Sequence, residues 1–202
     1  MSTSPFTSRY LTGAELADCG FKSVGDHVMI HEHVNIHGIE NITIGNHVRI
    51  DPYTSLIATG TVTIGSYIHI GAYCYLSAGE GLVMEDFSGL SQGVKIYTRS
   101  DDYSGEYMTN PMVPSQYTNV EKGQVVLKRH VIIGSSSVIL PGVTIGEGSA
   151  VGALSLVNKS LPDWGIFSGI PVRRLRDRSR NLLKLEAEFL NSIGQSTQST
   201  SA

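Results

Sequence analysis

Apolar residues return along this chain at every sixth position. Ile64-Gly65-Ser66-Tyr67-Ile68-His69 runs into Ile70-Gly71-Ala72-Tyr73-Cys74-Tyr75. The beat resumes at Ile133-Gly134-Ser135-Ser136-Ser137-Val138 and continues through units led by Ile139, Ile145 and Val151. A small residue usually follows the aliphatic one, and a small or branched residue sits four further on. This period matches neither the 3.6 of an amphipathic helix nor the 2.0 of a half-buried strand. It predicts an all-β solenoid, a parallel β-helix of hexapeptide repeats whose coil has three flat sides. The aliphatic residues fill the interior, and Gly, Asn or Asp beside them tolerate the corner backbone.

The pattern divides the chain. Residues 1–23 form an N-terminal arm and short helix. The helix is expected from Thr12 to about Cys19, on the capping-box spacing of Thr12 and Glu15, with Gly20 to end it. The first nine residues are expected to be poorly ordered. The coil spans 24–168, with about four turns before Ile96 and about two more from Val125 to Leu161. Between them, residues 97–124 carry no periodicity but hold Tyr97, Tyr103, Tyr107, Tyr117, Pro111 and Pro114. A loop this long inside a compact domain is expected to be functional, and its tyrosines and prolines suit an ordered loop that grips a ligand. Residues 169–193 read as a turn at Gly169-Ile170-Pro171 and then a C-terminal helix from Arg173, placed to cap the open end of the coil. Residues 194–202 read as a disordered tail.

Composition narrows the picture. The chain has 202 residues, enough for one solenoid domain, and its 22 glycines recur in register, as corners would require. A net charge of −3 provides no global field for nucleic acid. No apolar run reaches membrane-spanning length, and the first nine residues lack an apolar signal core. Cys19 and Cys74 have no metal or redox spacing, and Cys74 occupies an inward slot of its hexad. These features predict a soluble, cytoplasmic protein without disulfides or membrane insertion.

The hexads, the long loop and the terminal Gly169-Ile170-Pro171-Val172-Arg173 together resemble the hexapeptide-repeat sugar O-/N-acetyltransferases, the branch with galactoside, maltose and xenobiotic acetyltransferases. It looks closest to acetyltransferases of surface-polysaccharide synthesis. The resemblance runs from about Val24 to Arg176. It implies a left-handed coil, acetyl-CoA as cosubstrate with no metal, a sugar or nucleotide-sugar acceptor, and a homotrimer with active sites between neighbours. By the same resemblance, the backbone at Ser135 and Ala153 meets the pantetheine arm. Asn158 and Lys159 lie near the nucleotide end, and Arg173 and Arg176 meet phosphate or adenine. Cations at Lys159, Arg173 and Arg176 suit the CoA phosphates, and arginine can bind phosphate bidentately.

One departure bears on the chemistry. Galactoside-type relatives keep a histidine in the long loop as general base, and Asp101 falls at that position here. No histidine lies between Tyr97 and Gln124. Acyl transfer from a thioester needs an aligned acceptor, a donor for the oxyanion and a proton acceptor. Asp101 and Asp102 are candidates for the last role, or for binding an ammonium or sugar hydroxyls. Ser-Asp-Asp is also ordinary turn chemistry. His130 is the alternative base, and Tyr97 and Tyr103 are candidates for stacking on the acceptor. Ile132 stands where relatives keep an aromatic residue. His27, His31, His33 and His37 suggest a zinc site like that of γ-class carbonic anhydrases, but they fall on different slots and the late histidine pair of such a site is missing. A non-catalytic trimeric binding protein is the other alternative. The missing histidine favours an amine acceptor, which needs less help from a base than an alcohol does.

Overall fold

A computed structural model describes residues 7–199, with side chains through residue 193. Three parallel sheets wrap one apolar interior. The first face orders Met29–His31, Val48–Ile50, Ile68–Ile70, Gly89–Leu90, Ile132–Ile133, Ala150–Val151 and Gly165–Gly169. The second face runs from Asn35–His37 to Leu156–Val157, and the third from Ser23–Val24 to Thr144–Ile145. Cα partners fall twenty residues apart in the early coils, as Ile50 on Ile70, and eighteen apart late, as Ile133 on Val151. Eighteen is three hexads. The two extra residues sit at the corner after the second face, where Gly38 and Gly60 mark outward bulges. Buried Ile30, Ile50, Ile70, Leu90, Ile133, Val151 and Phe167 form one continuous interior row. Each such side chain contributes about 1.5–3 kcal/mol by leaving water. Cys74 lies in this interior, where burial pushes its thiol up to about 11.

One corner carries a column of rings. His27, His47, Tyr67, Phe87 and His130 all have φ between 56° and 61°. That left-handed conformation is unfavourable for bulky residues. Stacking offsets the strain: ring centroids lie 4.6 Å apart for His27–His47, 4.8 Å for His47–Tyr67, 4.8 Å for Tyr67–Phe87 and 5.2 Å for Phe87–His130. The next coil has Gly148 at this corner, and a Cβ there would come within 2.5 Å of the Trp164 indole that covers it.

Both ends differ from expectation. Tyr10–Thr12 is a strand, paired antiparallel with Met29–His31, so the arm is ordered from before that point. The short helix α1 covers Ala14–Ala17, less than the expected span. Gly13 is its N-cap, and the Glu15 carboxylate accepts from the Thr12 N–H at 3.4 Å. At the other end, residues expected to begin a helix form the strand Val172–Asp177, antiparallel to Gly165–Gly169. The last parallel strand presents a row of unpaired backbone groups, and pairing them outweighs the modest helix propensity of the arginine run. The C-terminal helix α2 is Asn181–Ser199, so it begins later and runs into the segment expected to be a tail. It does not cap the coil. Instead it descends the ring column: Arg180 lies over Trp164 at 5.1 Å, Glu186 reaches His130 at 2.8 Å, and Phe189 meets Tyr67 edge-on at 5.3 Å. Expectations for residues 1–6 and 200–202 fall outside the described residues.

Candidate active site

The long loop leaves the coil after Tyr97 and returns at Lys122. Arg99–Ser100 pairs antiparallel with Glu121–Lys122, which closes its base. Inside lies a cavity of about 610 Å³ lined by Tyr75, Arg99, Asp101, Asn110, Val113 and Lys122 among others. Asp101 is half-buried on this wall, and its Oδ2 accepts from the Asn110 N–H at 3.4 Å. Asp102 is committed elsewhere. Its carboxylate accepts from the N–H groups of Ser104 and Gly105, both at 3.1 Å, and from the Ser104 hydroxyl at 2.7 Å. That is an Asx-type turn, which leaves Asp101 as the carboxylate facing the cavity. Tyr97 packs against Tyr75 with centroids 5.8 Å apart, and burial, aided by Tyr75 and Tyr103, pushes its phenol above the ordinary value. Tyr103 is 93% exposed and touches no cavity wall.

The residues assigned to the donor climb the corner between the first and second faces. Leu154 N–H donates to the Ser135 carbonyl at 2.9 Å, and Ser136 N–H to the Gln92 carbonyl at 2.9 Å. Gln92, Ser135 and Ala153 therefore stack one above another on successive coils. Among the described residues, the N–H groups of Ser135 and Ala153 have no acceptor, which leaves two donors in register on successive coils. Higher up, Lys159, Arg173 and Arg174 line one cavity of about 590 Å³ with Phe167 and Val172. Asn158 is exposed beside Lys159. Arg176 is not in that cavity. It pairs opposite Ile166, beyond a bulge at Leu175, farther along the same end strand. The expectation that Arg173 and Arg176 act together assumed helical spacing, and a strand separates them along its length. Arg174 enters instead, over the Phe167 ring at 5.7 Å and paired with Asp177 at 2.7 Å.

His130 lies away from the loop. It is buried under α2, stacked on Phe87, with Nε2 2.8 Å from Glu186 Oε2 and Arg129 paired to the same carboxylate. Burial, then the Arg129 and Arg178 guanidiniums, hold its imidazole below the ordinary value. These contacts dock the helix, and none comes from the loop cavity. Of the four early histidines, His27 sits in the ring column before the first face, whereas His31 ends the first-face strand with its ring 5.1 Å from that of His33. No group of three metal-ligating side chains occurs among the described residues.

A further group stands on the first face, around His69, an outward slot of the hexads. Nearly buried Asp51 accepts from Tyr10 Oη at 2.7 Å, Arg49 Nε at 2.7 Å and His69 Nε2 at 2.8 Å. Burial alone would raise the Asp51 carboxyl, but these donors outweigh it and hold the group below the ordinary carboxylate range. His69, so fixed, lines a cavity of about 240 Å³ with Gly89, Leu90, Ser91, Gln92 and Ile132. The signal was the twenty-residue coil, which sets residues 49, 69 and 89 in one outward row; it shows only once the register is known.

No protein-family model matches the chain. It is 42% identical over 181 residues to a dTDP-4-amino-4,6-dideoxy-D-glucose acyltransferase of Escherichia coli, covering 89% of this chain and 94% of that one. It is 47% identical to AntD, an N-acyltransferase from Bacillus cereus solved with dTDP and 3-hydroxybutyryl-CoA, at a TM-score of 0.90 over 93% of this chain and all of that one. AntD has also been solved with one serine replaced and with one aspartate, ten positions further on, replaced. The hexapeptide-repeat acetyltransferase VCA0836 of Vibrio cholerae, at 24% identity and a TM-score of 0.54 over 79% of this chain and 76% of that one, shares the left-handed coil. With matches of this identity along nearly its whole length, the chain belongs to the hexapeptide-repeat sugar acyltransferases and is an acyltransferase.

Proposed function

We propose that this enzyme moves a short acyl group, acetyl in the simplest case, from a coenzyme A thioester to the amino group of a nucleotide-linked amino sugar. The observation that carries this reading is the pair Ser91 and Asp101. They are ten positions apart, as are the serine and aspartate altered in AntD, and nearly the whole of each chain is matched. Asp101 faces the loop cavity, where no histidine is available to activate a hydroxyl. A neutral amine attacks a thioester carbonyl without a strong base. The N–C bond forms, the C–S bond breaks, and the nitrogen loses one proton while the departing sulfur gains one. Asp101 orients the amine and offsets the positive charge that develops on its nitrogen until the proton leaves. Ser135 and Ala153 N–H groups hold the pantetheine arm, and Lys159 with Arg173 meets the nucleotide phosphates. Asn158 borders that end. Tyr97, packed on Tyr75 of the cavity wall, borders the acceptor, while Tyr103, outside that wall, takes no part in holding it.

The loop of one subunit serves its neighbour in a cytoplasmic homotrimer. The product, still an activated glycosyl donor, is used by a glycosyltransferase in surface-polysaccharide synthesis, such as that of lipopolysaccharide. The test is acceptor choice: free thiol release from acetyl-CoA with a dTDP-4-amino-4,6-dideoxy sugar and with its 4-hydroxy counterpart. Turnover with the amine at least a hundredfold above the alcohol is expected. Equal rates would overturn the reading.

A further inference from the structure

We infer that the cavity opened by Gly89 on the first face holds the acyl chain of the donor and admits chains longer than acetyl. The inference rests on the proposed path of the donor. With the nucleotide at Lys159 and Arg173, and the arm descending past Ala153 and then Ser135, the next coil down is that of Leu90, Ser91 and Gln92. The thioester end therefore arrives at the cavity those three residues line, with His69 below, Ile132 above and Gly89 between.

Gly89 has no structural need to be glycine. It is not among the residues with positive φ. A Cβ there would meet nothing closer than the His69 carbonyl at 3.4 Å, an ordinary contact. Other glycines of the coil differ: a Cβ at Gly71 or Gly134 would come within 2.8 Å or 2.4 Å of a backbone nitrogen in the next coil. The consequence of the missing side chain at 89 is open space. Its neighbours in the outward row, His69 and Ile132, carry large side chains, so the gap is local. About 240 Å³ leaves room beyond a two-carbon acyl group. The walls also fit a chain with a polar end. Asp51 holds His69 Nε2 at 2.8 Å, leaving Nδ1 as the free ring nitrogen, and Gln92, whose Oε1 accepts from the Ser135 hydroxyl at 3.4 Å, lines the same cavity. A hydroxyl on the acyl chain, able to donate and accept, suits both.

The experiment measures kcat/KM for acetyl-CoA and 3-hydroxybutyryl-CoA with one amino-sugar acceptor, in the full chain and in Gly89→Ala and Gly89→Val. The native enzyme is expected to use the four-carbon thioester within tenfold of acetyl-CoA. Gly89→Val is expected to lower that ratio tenfold or more, the scale on which a pocket discriminates small apolar differences. Gly89→Ala should lower it by less, and it serves if the valine variant does not fold. His69→Phe should lower use of the hydroxylated chain relative to plain butyryl-CoA. Native rejection of four-carbon donors, or an unchanged ratio in both Gly89 variants, overturns the inference while acetyl transfer continues. Absence of transfer from every thioester would instead overturn the proposed function.

Discussion

Two adjacent carboxylates in the long loop have different surroundings. Asp102 spends its oxygens on the N–H groups of Ser104 and Gly105 and on a hydroxyl, while Asp101 faces the cavity with one 3.4 Å contact. Asp101→Asn is expected to lower turnover at least tenfold with little change in KM for the acyl donor, the size of effect for losing a proton-handling or charge-orienting group. Asp102→Asn keeps an acceptor for the turn and is expected to stay within threefold. Steady-state kinetics on the two variants check this, and the reverse order would place the chemistry on Asp102. Sequence alone offered the pair but not the choice, because which oxygens a turn consumes depends on where Ser104 and Gly105 fold back. His130 shows the same limit. A corner slot reads as outward-facing, yet α2 covers it, and a helix arriving from fifty residues away leaves no trace in the hexad.

The hexad beat made the strands legible because each inward residue must fill the same interior slot in every coil. A slot filled against that logic predicts a local weakness. Ser88 occupies the row of Val48, Ile68 and Val131, and its buried hydroxyl has no partner among the described residues. An unsatisfied buried hydroxyl costs about 1–3 kcal/mol. Ser88→Val is expected to raise Tm by about 2–4 °C per kcal/mol recovered. Calorimetry decides it, and a fall in Tm would mean the slot cannot accept the added methyl groups. The arginine run after Pro171 was not legible in this way. Its composition suits a solvated helix, and it becomes a strand because the last parallel strand, Gly165–Gly169, needs a partner. Once the run is a strand, its register puts Arg174 beside Lys159 and Arg173, and sets Arg176 apart.

At the scale of the whole molecule, antiparallel strands finish both ends of the first face, Tyr10–Thr12 at one and Val172–Asp177 at the other, and α2 lies along a corner. These strands cover the end parallel strands of the first face. Its long loop extends from the corner after the second face, while Gln92, Ser135 and Ala153 climb the corner before it. A loop and a donor track on different corners are most readily joined between two copies of the chain, which is the argument for a C3 assembly. Light scattering is expected to give about three times the chain mass of 21.8 kDa. A monomer that retains full turnover would contradict it.

The central claim is acyl transfer from a CoA thioester to the nitrogen of a nucleotide-linked amino sugar. Its most direct test is the product itself. The protein is incubated with acetyl-CoA and dTDP-4-amino-4,6-dideoxyglucose, and the sugar nucleotide is examined by mass spectrometry and NMR. One acetyl group on the amino nitrogen, formed in step with free CoA, is the predicted result. An acetyl group on a ring hydroxyl, or an unmodified amino sugar alongside an acylated sugar of another kind, would contradict the account.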